Sequence, residues 1–342
     1  MNVIIDGIIF TLQKYGGISV YFKELLKYSS KISFAGSVLI DGFNSKTPID
    51  DFGNFELVFR KPRLFERYRF CRLPSVHAVF HSSYYRIPSE RKVPSVVTVH
   101  DFVYERHKKG LPKSVHTFQK NAAINSAQSI ICVSKATKDD LLEYFGDLKD
   151  KTVHVIHNGV SDKFFPIYEK SSQIPYVLFV GHRAGYKNFK LVRDSLVHLP
   201  DIYLYCVGGG AFSANEFEHL SSDIVDRIKH FDYVDDSKLN LLYNNAICLV
   251  YPSLYEGFGI PVIEAMKAGC PVISVNCKAV LEVGRDALLV VDENDPRSLA
   301  AEIINISTSS RVNFINRGIK VSEEFSWHKT HAQTFEIYKS LV

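Results

Sequence analysis

Short apolar runs recur along the chain, separated by stretches whose apolar positions repeat at helical spacing. In the first half, VIIDGIIF (3–10), SVLI (37–40), AVFHSS (78–83), SVVTVHD (95–101), SIICVS (129–134) and VHVIHN (153–158) predict strands, and 18–29, 114–127 and 135–144 predict helices. Near-continuous apolar strands alternating with amphipathic helices predict a largely parallel sheet covered on both faces.

The alternation breaks at SDKFFPIYEKSSQIP (161–175), which holds two prolines and no clean period and predicts a linker. A second series follows: YVLFVG (176–181), IYLYCVGG (202–209), IKHFDYV (228–234), ICLVYPS (247–253), PVISVN (271–276) and ALLVVD (287–292), with helices near 188–199, 237–245 and 260–268. Helices near 296–307, 309–323 and 327–341 close the chain. The pattern predicts an α/β protein of two doubly wound, Rossmann-like domains, residues 1–165 and 166–325. Ligands of such sheets bind beyond the carboxyl ends of strands, so a cleft between the domains is the expected site.

The 342 residues are 46% hydrophobic and 23% charged, which excludes a disordered or low-complexity chain. No apolar run approaches the roughly 18 residues of a spanning helix. The start, MNVIIDGIIF, has no basic segment and is interrupted by Asp6, unlike a signal peptide. Cytoplasmic localisation is expected. The six cysteines contain no C-x-x-C pair and sit mostly in apolar runs, as buried small hydrophobes do. Residues 1–165 carry 24 Lys+Arg against 16 Asp+Glu, a net +8, and the remainder carries 17 against 21, a net −4. The front half is therefore expected to face anionic partners.

The most informative segment is PSLYEGFGIPVIEAMKAGCPVIS (252–274). Pro261 marks a first helical turn, which places Glu256 in a loop after a strand and Glu264 one turn inside the helix. Gly257 and Gly259 let a ligand approach the backbone, and the helix start presents N–H groups to anions. Two carboxylates around such a turn suit hydroxyl-rich ligands. A surface turn with ordinary acidic residues is the plainer reading of the same pattern.

This segment resembles the E-x7-E signature of retaining nucleotide-sugar glycosyltransferases of the GT-B fold, the family-four group. VGHRAGYKNF (180–189) resembles the family's basic pair on the donor diphosphate, supplied here by Arg183 and Lys187. An Arg fork with a Lys point charge is what a departing diphosphate needs. KYGGIS (14–19) resembles its first glycine loop, with Gly16 and Gly17 opening a helix, and TVHD (98–101) places His100 and Asp101 at a strand end. VSKAT (133–137) and IHNGV (156–160) match family stretches as scaffold. AVLEVGRDA (279–287) departs from the family's Pro-Glu-Val-Gly-Gly-like loop but keeps Glu282 and Gly284.

The resemblance implies a metal-independent, retaining hexosyltransferase that needs no cofactor. Its implied catalytic residues are His100, Glu256, Arg183 and Lys187. The donor site would be completed by Gly16, Gly17, Asp101, Glu264, Glu282 and the turn Gly257, Phe258, Gly259, Ile260. Glu264 would hold the nucleotide ribose and Glu256 the sugar hydroxyls. The resemblance is strongest to mannosyltransferases of bacterial surface polysaccharide synthesis. It favours GDP-mannose or a relative over a UDP-sugar, a glycan or lipid-linked glycan acceptor, and a C-terminal helix (326–342) that crosses back to the first domain. An epimerase or phosphorylase-like enzyme of the same fold and a non-catalytic sugar-nucleotide-binding subunit are the alternatives. The oligomeric state is left open.

Two other motifs fail their tests. Gly208-x-Gly210-x-x-Ser213 lacks the third glycine of a dinucleotide fingerprint. The 13 histidines show no H-x-x-x-H pair on a predicted helix, and YVDDSK lacks metal-ligand spacing, so no metal is expected. Finally, FRKPRLFERYRFCR (59–72) interleaves Arg60, Lys61, Arg63, Arg67, Arg69 and Arg72 with four aromatic residues, and KKGLPK (108–113) adds positive charge. That composition suits an anionic membrane surface at the inner face of the cytoplasmic membrane. No nucleic-acid module accompanies it.

Overall fold

Every predicted apolar run supplies a strand, and all strand pairings among the described residues are parallel. The computed structural model describes residues 2–14, 16–32, 35–42, 45–46, 52–167, 174–183, 185–308 and 311–342. They form two units, Met1–Gly159 with Trp327–Val342, and Val160–Ser326. The division falls at Gly159 rather than at 165/166 because the chain just after it packs into the second unit. Phe164 is buried there, and the Phe165 N–H donates to Asn240 Oδ1 at 3.1 Å. Residues 168–173 of the expected linker lie outside the described residues.

The first unit holds β1 (Asn2–Asp6), β2 (Ala35–Asp41), β3 (Phe55–Arg60), β4 (Val79–Ser82), β5 (Ser95–Val99), β6 (Ser129–Cys132) and β7 (Thr152–Val155), in the order β3-β2-β1-β4-β5-β6-β7. The second holds β8 (Tyr176–Val180), β9 (Tyr203–Val207), β10 (Ile228–Phe231), β11 (Leu249–Tyr251), β12 (Val272–Ser274) and β13 (Leu288–Val290), in the order β10-β9-β8-β11-β12-β13. Strand order reverses between β1 and β4 and between β8 and β11. These switch points are where open α/β sheets bind ligands. In the second unit Val177, Phe179, Leu204, Val250 and Ile273 from the strands pack with Val192, Leu299 and Ile303 from covering helices.

Three sequence expectations are corrected. The run 3–10 is not one strand: β1 stops at Asp6, the chain turns at Gly7, and Ile8–Leu12 is a short helix. The predicted strands omit β3, which runs to Arg60 at the sheet edge and so carries the start of the basic stretch 59–72. The segment 279–287, expected as a loop, lies in the helix Lys278–Gly284 over its first six residues.

At the carboxyl ends of β1 and β2 lies a buried ionic cluster. Arg86, wholly buried, donates to Asp6 Oδ1 (2.7 Å), Asp41 Oδ2 (2.7 Å) and Glu66 Oε1 (2.9 Å). Arg60 forks onto Asp41 at 2.8 and 2.5 Å, and Arg63 onto Glu66 at 2.8 and 2.6 Å. Burial alone would raise the Glu66 carboxyl, but hydrogen bonds from Arg63 and the Arg86 charge hold it at about 2.

The helix Trp327–Ser340 belongs to the first unit and packs along the helix Gly17–Ser29. Tyr338 OH meets His81 Nδ1 at 2.5 Å, and His81 Nε2 lies 2.9 Å from Thr98 Oγ1. Burial pushes His81 down to about 3, with the nearby His100 adding to the shift. The folded state thus keeps His81 neutral where an unfolded chain takes up a proton below about pH 6.5. Stability is therefore full above that pH and declines as pH falls from it towards about 3. In urea unfolding of the first unit, His81→Phe is expected to flatten this acid slope by about 1.4 kcal/mol per pH unit. An unchanged slope would show that His81 is protonated in the fold.

Candidate active site

In the second unit, the loops after β8 and β11 flank the switch point and meet. The Leu254 N–H donates to the Tyr186 carbonyl at 2.8 Å. Across this junction Lys187 Nζ donates to Glu256 Oε1 at 2.5 Å and lies 3.3 Å from Tyr251 OH. Lys187 and Glu256 are both mostly shielded, so the pair is stronger than a surface contact. Burial pushes the Tyr251 phenol well above its ordinary value, reinforced by the Glu256 charge, so it stays a neutral donor. Ser253 Oγ is buried at the same strand end without a partner among the described residues.

Gly259 then takes φ +101°, a left-handed geometry that glycine adopts without strain, and opens the helix Ile260–Lys267 with Pro261 in its first turn. That turn projects Glu264 as the spacing predicts. Tyr243 OH donates to Glu264 Oε2 at 3.1 Å. Burial raises the Glu264 carboxyl to about 7, against the Tyr243 hydrogen bond and with help from Asp236. Ile260 is half-buried at the helix start, whereas Gly257 is buried. The Phe258 ring is packed edge-on to Phe325, so that side chain serves the core rather than a ligand. Glu282 is half-buried on the helix Lys278–Gly284.

Arg183 has a different set of partners from Lys187. Its guanidinium donates to Glu216 Oε1 (2.5 Å) and to the carbonyls of Gly208 (3.0 Å), Gly210 (2.8 Å) and Ala211 (3.1 Å). It also stacks 4.1 Å from the Phe212 ring centroid. Gly208, Gly209 and Gly210 are all left-handed, and a Cβ on Gly209 would come within 2.6 Å of the guanidinium. Arg183 therefore builds the loop after β9, and the expected Arg–Lys pair is divided between two tasks. The dinucleotide-like glycines are explained by this turn.

In the first unit Gly16 caps the helix that begins at Gly17, and Ser19 Oγ donates to its carbonyl at 2.9 Å. Tyr15 lies outside the described residues. His100 and Asp101 follow the end of β5. The His100 ring lies edge-on to Tyr21, and its buried Nε2 has no partner among the described residues. Burial lowers His100 to about 3, and the Lys120 charge adds to this, so the imidazole is neutral. Asp101 Oδ1 accepts from the Val103 N–H at 2.9 Å, and its carbonyl accepts from Lys120 Nζ at 2.5 Å. Lys120 is wholly buried, with Glu105 at 3.2 Å and the Phe102 ring beneath it.

Sequence reasoning did not single out Tyr251, Tyr243, Ser253 or Lys120. The signal for Tyr251 and Ser253 was their place at the end of ICLVYPS, next to the acidic motif. For Tyr243 and Lys120 none was visible, since their partners are distant in sequence. Among the described residues no three His, Cys, Asp or Glu side chains converge as a metal centre requires, and all six cysteines are buried free thiols.

Comparison with known proteins bears on the family and the fold. Residues 160–321 match the family model described as glycosyl transferases group 1, and residues 38–164 match that of glycosyltransferase family 4. The chain is 29% identical over 318 residues to O-antigen chain mannosyltransferase B of Escherichia coli, covering 82% of this chain and 81% of that protein. It is also 29% identical over 231 residues to the O-antigen chain mannosyltransferase RfbU of Salmonella typhimurium, covering 66% and 64%. Among solved structures, sucrose-phosphate synthase of Thermosynechococcus elongatus superposes with a TM-score of 0.79 at 18% identity, over 100% of this chain and 99% of that one. WaaG, a glycosyltransferase involved in lipopolysaccharide biosynthesis, superposes at 0.73 with 16% identity, over 99% of each chain. At these identities the likeness is one of fold.

Proposed function

Because this chain belongs to the group 1 and family 4 glycosyltransferases and has their two parallel-sheet, GT-B type domains, we propose that it transfers a hexose from a nucleotide-diphospho-sugar, with retention and without a metal, to a growing glycan of a bacterial surface polysaccharide. The observation that carries this reading is the Lys187–Glu256–Tyr251 cluster at the β8/β11 switch point, with Glu264 one turn into the adjoining helix. The similarity to two O-antigen mannosyltransferases favours a GDP-mannose donor and a lipid-linked glycan acceptor.

Breaking the sugar C1–O bond leaves positive charge on the sugar ring and an added negative charge on the departing diphosphate. Lys187 supplies the matching cation, and the amides of the first turn after Gly259 supply further donors. Glu256 accepts hydrogen bonds from sugar hydroxyls once phosphate oxygens share Lys187, and Glu264 accepts from the ribose. Arg183 acts as a positioning residue through the glycine loop. Gly16, Gly17, Asp101 and the neutral His100 are the first unit's proposed contributions, His100 Nε2 offering the sugar a hydrogen-bonding nitrogen. Retention is read as same-face attack: the acceptor oxygen bonds to C1 as the C1–O bond to the diphosphate breaks, and the acceptor hydroxyl's proton passes to the departing diphosphate.

The reading is tested by following nucleotide release from GDP-mannose, GDP-fucose, UDP-glucose and UDP-N-acetylglucosamine with chelator present. Release from one donor, lost in Glu256→Gln, is expected. A requirement for added metal would overturn the mechanism. Glu264 gives a second handle. Its carboxyl, raised to about 7, is half ionised there and mostly ionised only above it. If ribose hydroxyls bind the ionised form, donor affinity weakens about tenfold per pH unit below that point. In Glu264→Gln the pH step should vanish and donor affinity should drop by about tenfold at pH 8. A step surviving in the variant would assign the titration elsewhere.

A further inference from the structure

One face of the first unit has inverted polarity. In the turn 63–70, Glu66 is buried on Arg63 and Arg86 while Leu64, Phe65, Tyr68 and Phe70 face outward. The helix Gly110–Ser126 adds Leu111, Val115 and Phe118 at one-face spacing, all exposed. Leu111 (76%), Phe118 (76%), Leu64 (74%) and Phe65 (68%) are, after the C-terminal Val342, the most exposed large apolar side chains among the described residues. The two segments adjoin: Gln119 Nε2 donates to the Arg67 carbonyl at 2.7 Å, and Arg67, Tyr68, Tyr104, Leu111 and Val115 share the lining of a cavity of about 280 Å³.

The unpaired charge around this apolar face has one sign. Lys120 is buried on Glu105, Arg106 pairs with Asp140 and Glu143, Arg60 with Asp41 and Arg63 with Glu66. Lys61, Arg69, Arg72, Lys108, Lys109 and Lys113 form no ion pair among the described residues. Glu66 is the acid that would have balanced the turn, and Arg86 holds it inside. An exposed apolar surface of this kind marks an interaction site, and its unpaired cations select a partner that is both apolar and anionic. No helix among the described residues is long and apolar enough to cross a membrane.

We propose that this face docks the protein on an anionic lipid bilayer. The side chains of Leu64, Phe65, Leu111 and Phe118 enter the headgroup boundary, and the lysines and arginines around them meet lipid phosphates. This extends the basic stretch 59–72 to a second segment and is independent of the transfer reaction.

The test is flotation of the purified full chain with vesicles, read without donor or acceptor so that the result stands whatever the enzyme assay gives. The wild type is expected to float with phosphatidylglycerol–phosphatidylcholine vesicles and not with phosphatidylcholine alone. Leu111→Ser with Phe118→Ser should weaken partition by about tenfold or more, and Lys108→Gln with Lys109→Gln by about twentyfold, each with unchanged melting temperature. Equal binding to neutral vesicles, no binding, or unaltered binding of the variants would overturn the proposal. So would a dimer in sedimentation that Leu111→Ser with Phe118→Ser abolishes, since a second copy would then be the occupant.

Discussion

Lys187→Ala is expected to lower kcat for sugar transfer by about 10²–10³ with little change in donor KM. The ammonium is mostly shielded and lies against Glu256 and Tyr251 at a strand end. In the ground state the diphosphate already carries charge that the helix start can share. Lys187 is the side-chain cation placed to meet the charge added as the C1–O bond breaks, because the Arg183 guanidinium is committed to Glu216 and three loop carbonyls. The loss should therefore fall on the chemical step. Lys187→Arg should not restore it, since a planar fork cannot replace a point charge wedged beside Tyr251. Steady-state nucleotide release with GDP-mannose measures both constants. A rise in KM alone would show that Lys187 binds substrate and transition state equally. Arg183→Met offers a contrast: it strips the partners from the Gly208–Ala211 turn, so its activity loss should come with a lower melting temperature.

Most of the scaffold was legible because parallel strands buried on both faces read as apolar runs, and their helices keep a clean period. The misreadings have specific causes. Through GIIF the apolar run continues across the turn at Gly7, so hydrophobicity alone could not separate β1 from the helix that follows. β3 sits at the sheet edge, half-buried, with Glu56 and Arg60 interrupting its pattern. The acidic motif was legible because the loop, the left-handed Gly259 and the helix carrying Glu264 are all local. Arg183 was not, because the loop that claims it returns 25 residues later, at Gly208. Lys120 and Arg86 look like surface cations in the sequence. Their burial depends on carboxylates and carbonyls brought in from other strands and helices, which no local pattern encodes.

Arg86→Met is expected to destabilise the first unit by about 3–5 kcal/mol near neutral pH, because it leaves buried carboxylates without their cation. Asp6 is the most dependent. It is wholly buried, and among the described residues Arg86 is the one side chain that donates to it, beside the Ile8 N–H. Asp41 retains Arg60 and Glu66 retains Arg63. Burial already raises the Asp6 carboxyl above its ordinary value, with Arg86 opposing that rise. Without the guanidinium, the folded chain holds the Asp6 proton to a higher pH than the unfolded chain does. Folded Arg86→Met therefore binds more protons than its unfolded form in that window, and its stability falls as pH rises. The deficit should be largest near pH 7 and shrink as the solution is acidified towards the ordinary carboxyl range, opposite in sign to the acid slope set by His81. Adding Asp6→Asn should recover part of the loss at neutral pH and remove its pH dependence. Urea unfolding with hydrogen exchange read at β1 and β2 isolates the first unit. A deficit that is the same at every pH, or one that Asp6→Asn leaves untouched, would mean that the network is held by Arg60 and Arg63 and that Arg86 contributes packing alone.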